Sequence, residues 1–435
     1  MSSQKLTVDA ELEKLQRDSF KYFLHEANQA NGLVIDKNEA GSPASIAAVG
    51  FALACYPVAV ERGFMPRAAA IERTLATLRF FWNSPQGPEP DATGYRGFYY
   101  HFLDMHTARR AWQCELSTVD SGFLLAGALA AGIYFSADTP DESEIRTLAD
   151  ALYRRADWNW AQDGGATVTH GWKPEGGFLK YRWQGYDEAL LLYVLGLGSP
   201  TFPLPEGSYS AWASTYQWGK YCRQDYLYAG PLFTHQLSHV WIDFRGIQDA
   251  FMREKGIDYF ENSRRATYAQ QRYAIENPLK FAGYGRNCWG ITAGDGPGPA
   301  TIKVNGIVRQ FFDYEGRGVP YGPDDGTIAP WAVVASLPFA PEIVLPALDH
   351  YIHRAKLAEH NSYGFRASFN LTFPQKVHDE RGWISRWHFG INQGPIVLMI
   401  ENYRTGLLWQ LMRSCPYIAS GLRRADFRGG WLQAL

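Results

Sequence analysis

The chain has 435 residues, of which 46% are hydrophobic and 20% charged, and its formal net charge is -2. That is enough apolar surface for a large core, and it excludes extensive disorder. Lys and Arg are scattered rather than clustered, so the basic face that a phosphate backbone requires is absent and nucleic acid is excluded as a partner.

The first twenty residues contain no apolar stretch of secretory-signal length and lead directly into helix. This predicts a cytoplasmic protein, or a periplasmic one where a signal peptide has been removed. A first helix is expected over 9–28, with Leu12, Leu15, Phe20 and Phe23 near one face. A second runs over 43–62 and ends at Gly63. The third begins at Pro66, which a first helical turn tolerates, and carries Ile71, Leu75, Leu78 and Phe81 as one buried stripe. Segment 118–135 is apolar nearly all round, as an inner helix is. The next helix opens on Thr139-Pro140-Asp141-Glu142, a capping box in which Thr139 accepts from the Glu142 amide while Glu142 reaches back. Its stripe of Ile145, Leu148 and Leu152 marks an outer helix.

Further helices are expected near 186–197, 209–218, 246–255, 257–277, 327–338, 341–358 and 394–413. Short strands are expected only near 166–182 and 300–314. The apolar runs 123–135 and 189–197 are too short or too interrupted by glycine to cross a bilayer, so no membrane partner is expected. About twelve helices alternating between apolar-all-round and amphipathic predict an all-α (α/α)6 toroid, with six inner helices pointing one set of ends at a cleft. No Pro/Ser-rich linker or charge run divides the chain, which predicts one domain over 1–435, as a monomer or weak homo-oligomer.

Cys55, Cys114, Cys222, Cys288 and Cys415 are odd in number and show no C-x-x-C spacing, so reduced thiols are expected. His235 and His239 stand at i, i+4, but Gln236 occupies the place of a zincin glutamate, and no metal is expected. Neither a G-x-S-x-G elbow nor a P-loop is present, so acyl transfer and ATP chemistry lack their carriers and no cofactor is expected.

Aromatic residues make up 15% of the chain, and many fall in glycine-rich stretches such as GYRGFYYHF (94–102), HGWKPEGGF (170–178) and RGWISRWHF (381–389). Aromatic faces cover the C–H faces of sugar rings while polar neighbours bond the hydroxyls, so these loops suit a glycan cleft as well as anchoring to the core. Glycoside hydrolysis needs one carboxyl to protonate the leaving oxygen and usually a second to activate water or attack carbon. Four places supply candidates. Asp104 follows a strongly aromatic run. Glu115 and Asp120 flank the start of the apolar helix, where acids also simply suit the helix dipole. Asp187 and Glu188 precede the apolar run 189–197; Asp187 reads as an N-cap, and the apolar flanks of Glu188 raise its pKa and suit a general acid. The loops around Glu175, Asp295 and Asp324-Asp325 offer sugar-hydroxyl acceptors, although Asp-Gly is also an ordinary turn signal.

Longer motifs carry a resemblance. The run His239-Val240-Trp241-Ile242-Asp243-Phe244-Arg245-Gly246-Ile247-Gln248-Asp249, then Asp258 to Arg264, Trp289-Gly290-Ile291-Thr292-Ala293, Gly322 to Pro330, Tyr363-Gly364-Phe365, Gln393-Gly394-Pro395 and Met399 to Arg404 resemble the glucoamylase-like family that includes bacterial endo-β-1,2-glucanases, glycoside hydrolase family 144. The resemblance spans residue 10 or so to the C-terminus. It implies an (α/α)6 fold and an anomeric-inverting hydrolase of β-1,2-glucan or its oligosaccharides. It also implies that Glu188 is presented to the cleft and that Asp120 stands where relatives carry an acid. Two departures stand out: Glu115-Leu116-Ser117-Thr118-Val119-Asp120-Ser121 replaces a G-D-L-V-E-T pattern, and Asn392 replaces the Asp of I-D-Q-G-P. Asn cannot act as a carboxylate base, which leaves that role to Asp120 or Glu115.

The expected assignment is therefore Glu188 as general acid, Asp120 or Glu115 as base or water-positioner, and Trp172, Tyr314, Trp331 and Trp387 as ring platforms. Glu175, Arg245 and Asp325 are expected to bind hydroxyls, with Asp104, Asp295 and Asn392 completing the substrate site. Exo-acting or transglycosylating chemistry is the alternative within catalysis. A non-catalytic glycan-binding protein, motivated by Asn392, is the alternative outside it.

Overall fold

Helices that are buried on every face can only exist surrounded by others, and this dictates the arrangement. The computed structural model describes residues 3–358, 361–374 and 382–433. Among them are α1 (Ser3–His25), α2 (Ile46–Glu61), α3 (Arg67–Asn83), α4 (Thr118–Tyr134), α5 (Pro140–Arg155), α6 (Leu190–Gly198) and α7 (Gly207–Ala213). There follow α8 (Ala250–Lys255), α9 (Tyr259–Glu276), α10 (Pro330–Ala335), α11 (Pro341–Asp349), α12 (Gly390–Arg404), α13 (Leu407–Arg413) and α14 (Pro416–Arg424).

The inner elements identify themselves by burial: α2 from Ile46 to Ala59, α4 from Thr118 to Ala131, and α6 and α10 over their whole lengths. α12 is buried from Asn392 to Asn402. The sixth position is taken by two consecutive 3-10 turns, Leu232–His235 and Leu237–Val240. α2 packs against α4 and α12, α4 against α6, and α12 against α10; the Leu191 amide of α6 donates to the Ser238 hydroxyl and the Gln236 side chain donates to the Ala332 carbonyl of α10, so the 3-10 turns close the ring. Outside it, α1 lies on α12, α3 on α5, α5 on α4, α14 on α6, α9 on the first 3-10 turn and α11 on α10. The fold is the expected all-α (α/α)6 toroid.

Closure brings α2 and α4 into backbone contact. A Cβ at Gly127 would lie 2.0 Å from the Gly50 carbonyl oxygen, and one at Gly50 would lie 2.3 Å from the Phe123 carbonyl oxygen. Only glycine fits either place. Outer α5 shows the opposite pattern, burying Ile145, Leu148 and Leu152 on one side. Thr139 caps it by accepting from the Glu142 amide at 3.3 Å. The reciprocal half of the capping box is not made: the Glu142 carboxylate accepts from the Ala137 amide at 2.7 Å and twice from Arg67 at 2.9 Å. A bidentate charged partner on α3 outcompetes a single neutral N–H.

Several boundaries differ from expectation. The helix expected from 186 starts at Leu190, leaving Asp187 and Glu188 in the entry loop, and the one expected over 209–218 ends at Ala213 and gives way to a hairpin of Trp218–Tyr221 with Gln224–Leu227. The segment 394–413 is two helices, broken at Gly406 where φ is +71. A five-stranded antiparallel sheet forms from Gly94–Tyr95, Phe98–Tyr100, Leu116–Ser117, Gly171–Lys173 and Gly177–Phe178. Only its last two strands fall in a region where strands were expected. Leu116–Ser117 leads straight into α4, with Ser117 as its N-cap. Among the described residues no helix is long and apolar enough to cross a membrane.

Gly127→Ala forces the α2 and α4 backbones apart. It is expected to destabilise the protein by about 1–3 kcal/mol, the usual range for overpacking, as a lower urea midpoint at unchanged slope.

Candidate active site

The inner elements run in the same sense, and at one end of the ring their N-terminal ends converge on a cavity of about 260 Å3. Asp120 comes from the first turn of α4, Glu188 from the loop entering α6, Trp331 from the start of α10 and Asn392 from the start of α12. The short sheet adds Glu115 and Ser117, with His101 just after its second strand. Phe123, Trp183, Phe233, Leu237 and Tyr314 supply apolar wall. Larger depressions lie elsewhere on the surface, among them one between α3 and the loop 83–93 and another between α1 and α11. Neither gathers carboxylates at the helix N-termini, where partial positive charge favours them.

Asp120 is 6% exposed. Its Oδ2 accepts from the Ser117 hydroxyl at 2.5 Å and lies 3.5 Å from His101 Nε2. The other nitrogen of that ring, Nδ1, is 2.8 Å from Glu115 Oε1. Burial works against a charged imidazole, but Asp120, Glu115 and Asp36 together outweigh it and push the His101 pKa up to about 9. For Glu115 burial opposes ionisation, and the His101 partner wins, drawing its pKa down. Asp36, on the loop before α2, is pushed up to about 6, mainly by burial and further by Asp120, against the pull of His101 and Lys37.

Glu188 stands apart from this group. Among the described residues no side chain hydrogen-bonds its carboxyl. Burial first, and the charge of Asp120 second, raise its pKa above the usual carboxylate range. Its backbone is fixed from the neighbouring inner element, since the Ser238 hydroxyl donates to the Glu188 carbonyl at 3.2 Å and accepts from the Leu191 amide at 3.1 Å. Asp187 turns the other way: its Oδ1 accepts from the Ala189 amide at 3.0 Å and from Trp212 Nε1 at 3.1 Å. Asp187 thus closes a turn just ahead of α6 and is not the expected N-cap, a place taken by Ala189 with no side-chain cap. A carboxyl whose pKa is raised, Glu188, and one whose pKa is drawn down, Glu115, on the wall of one cavity are suited to acid-base hydrolysis.

Tyr314 is 58% exposed and forms the solvent side of the cavity. The side chain is exposed as a whole but its hydroxyl end is turned inward, and burial of that end first, then the charges of Asp36, Asp120, Asp295 and Glu188, push its pKa up. Asp295 and Trp387 lie off the cavity wall. The Asp295 carboxylate accepts from Ser385 at 2.5 Å, and Lys37 Nζ lies 5.7 Å over the Trp387 ring. The sequence reading missed four members: His101, Asp36, His170 and Trp183. The last two stack at 3.8 Å and 18° and present a flat wall, with Trp183 Nε1 held by Thr118 Oγ1 at 3.0 Å. The available signal for His101 was its place in the aromatic run Tyr99-Tyr100-His101-Phe102, at the end of a short strand.

Five other expected site residues are not brought to the cavity. Asp104 closes its own turn, accepting from the His106 and Thr107 amides and the Thr107 hydroxyl. Glu175 pairs with Arg110 at 2.6 Å on the outer loop, and Trp172 packs between Tyr95 and Trp160. Arg245 pairs bidentately with Asp243 at 2.8 Å and lies 4.4 Å over Trp409, beyond the C-terminal end of the inner 3-10 turn. Asp325 is wholly buried in an ion pair with Arg317 at 2.8 and 2.9 Å. It also accepts from the Phe312 and Thr327 amides, so it pins the segment that carries Tyr314. His235 and His239 are buried, their pKa values lowered by burial to about 4 and about 3. His239 bonds Ser263 at 2.9 Å, and among the described residues no metal-ligand cluster forms.

Known proteins resemble this one over most of its length. A family model described as "Glycoamylase: Putative glucoamylase" matches residues 180–416. A curated protein of Parabacteroides distasonis, an exo beta-1,2-glucooligosaccharide sophorohydrolase (non-reducing end), is 29% identical over 96% of this chain. The chain spans 58% of that relative's length. The crystal structure of a "putative glucoamylase" from Bacteroides uniformis superposes with a TM-score of 0.85 and 31% identity over 98% of both chains. An endo-beta-1,2-glucanase from Chitinophaga pinensis, solved with sophorotriose and glucose, gives 0.84 and 25% identity over 98% of this chain and 99% of its own.

Asp325→Asn leaves Arg317 buried without its counter-charge. A loss of about 3–5 kcal/mol is expected, as for other broken buried pairs, measured by urea unfolding of the purified chain.

Proposed function

The chain belongs to the glycoamylase family, and from that premise we propose that it is a glycoside hydrolase of β-1,2-linked glucan or its oligosaccharides, working as one domain with no cofactor. The observation that carries the reading is the pairing of Glu188, raised by burial and without a side-chain hydrogen bond among the described residues, with Asp120 in one cavity. In this reading Glu188 gives its proton to the leaving glycosidic oxygen as the bond to the anomeric carbon breaks. Water adds its oxygen to that carbon and its proton goes to Asp120. The proton returns to Glu188 through solvent, and one water is consumed per bond cut. Asn392 has no carboxylate to offer, so the base falls to Asp120, supported by Glu115.

Trp331, Tyr314 and the His170–Trp183 pair are suited to cover the C–H faces of the sugar. The cavity, at about 260 Å3, is below the roughly 300–1,000 Å3 of pockets that engulf a drug-sized ligand. It suits a chain end of one or two rings better than a polymer running through, which favours exo action, the mode of the Parabacteroides relative. The free cysteines, most of them buried, fit a reducing compartment such as the cytoplasm.

Incubation with β-1,2-, β-1,3-, β-1,4- and α-linked glucans should yield reducing sugar from the β-1,2 substrate alone, as one short product rather than a ladder on thin-layer chromatography. Binding without any release would return the protein to the glycan-binding class. Glu188→Gln is expected to lower kcat by at least about a hundredfold with KM little changed, the size of a general-acid contribution.

The pH dependence has a definite sign. Glu188 works protonated, and its pKa lies above that of an ordinary glutamate. Activity should therefore persist to higher pH than an exposed glutamate allows, and fall as pH rises through the raised value. A kcat profile already declining between pH 4 and 5 would contradict the assignment.

A further inference from the structure

We propose that His101 is a positioning residue of the hydrolytic centre: a cationic bridge that ties Glu115 and Asp120 into one unit and leaves the second oxygen of Asp120 unclaimed for the attacking water. The inference rests on the hydrolytic reading of the same cavity.

The geometry argues for the cation without appeal to titration. A neutral imidazole offers one N–H and one lone pair. Here both ring nitrogens face carboxylates, Nδ1 at 2.8 Å from Glu115 and Nε2 at 3.5 Å from Asp120. A lone pair directed at either would be repelled, whereas two N–H groups serve both. The ring has little freedom to turn away. It stacks on Phe102 at 4.0 Å and 12°, its own amide donates to the Glu115 carbonyl at 2.9 Å, and its carbonyl accepts from the Ile46 amide at 3.2 Å at the start of α2.

The contact with Asp120 falls on Oδ2, the oxygen that also takes the Ser117 hydroxyl. Among the described residues nothing donates to Oδ1. The charged groups facing the ring are Glu115, Asp120 and Asp36, with Lys37 behind Asp36. With Glu188 the region holds four carboxyls, and His101 is the group that sits between two of them. Without it, Glu115 and Asp120 face each other's charge in a poorly solvated space, and the water-activating group would be held by protons instead of by geometry.

Two measurements on the full-length chain test this. With 15N-labelled histidine, and the His101 signals assigned by their loss in His101→Gln, both ring nitrogens should carry protons at pH 7.5 and keep them to about pH 9. In Glu115→Gln the proton should be lost at lower pH. A neutral His101 ring at pH 7.5 in the wild-type chain overturns the proposal, whatever the variants do.

In kinetics on a β-1,2-glucooligosaccharide, His101→Gln should lower kcat by about 10²-fold or more with KM within about threefold, the split expected when a group acts on the transition state. Its acid-side loss of activity should begin at higher pH, because the carboxylates have lost their cation. An unchanged kcat, or a fall in kcat with no movement of the pH profile, also overturns it. A doubly protonated ring in a wild-type chain that releases no sugar would sink the hydrolytic reading and leave the bridge standing.

Discussion

Everything in this molecule follows from a packing constraint: its inner helices are apolar on all faces, so each must be enclosed before it is stable. Closing the ring satisfies that requirement, and the Gly50–Gly127 approach shows how tightly it is drawn. Within the ring the inner helices then leave charge no place except at their ends. What distinguishes the two ends of the ring is which charges the helices themselves will tolerate.

At the C-terminal ends the helix dipole disfavours carboxylates, and those present are neutralised by arginine. Glu401 near the end of α12 is held by Arg62 at 2.7 and 2.9 Å, and Asp243 beyond the inner 3-10 turn is held by Arg245 and Arg413. These pairs are structural, because a guanidinium that occupies both oxygens leaves nothing for a substrate. At the N-terminal ends the dipole favours an anion by about 0.3–1 kcal/mol, and up to about 2 when partly buried. Carboxyls can stand there without arginine, and those of Asp120 and Glu188 do. The cavity thus lies at the end where acids need no arginine: the helix termini favour them, and His101 stands between Glu115 and Asp120.

The same distinction explains what could be read from the sequence. Apolar-all-round segments such as 118–135 announce inner helices by themselves, and amphipathic stripes such as Ile145, Leu148 and Leu152 announce outer ones, because burial on a helix is a local periodic property. Of the expected residues Glu188, Asp120 and Glu115 meet in the cavity along with Asn392, Trp331 and Tyr314, although α6, α10 and α12 start at Leu190, Pro330 and Gly390 and not where periodicity puts them. Fates decided by a partner far along the chain were not legible. Glu175 is claimed by Arg110 and Glu142 by Arg67, and no local pattern records either pairing. Asp325 and Asp104 were missed differently, since Arg317 and Thr107 stand nearby in sequence but the turns that aim them do not follow from composition. Gly406 broke a helix that periodicity alone would continue, since its φ of +71 is outside helical space.

Asn392 is best understood through charge rather than through loss of function. Its side chain lines a cavity that already neighbours Asp36, Glu115, Asp120 and Glu188, with His101 as the bridging cation. An aspartate there would add another anion where solvent cannot screen it, and one of the set would have to take up a proton in answer. Asp36, pushed up to about 6 mainly by burial and further by Asp120, already leans that way. A neutral amide keeps the polar contacts a sugar hydroxyl can use, donor and acceptor both, while leaving the ionised and protonated carboxyls on opposite sides of the account. On the proposed reading the departure at 392 and the presence of His101 belong to one electrostatic solution, with Asp120 in the place of the base.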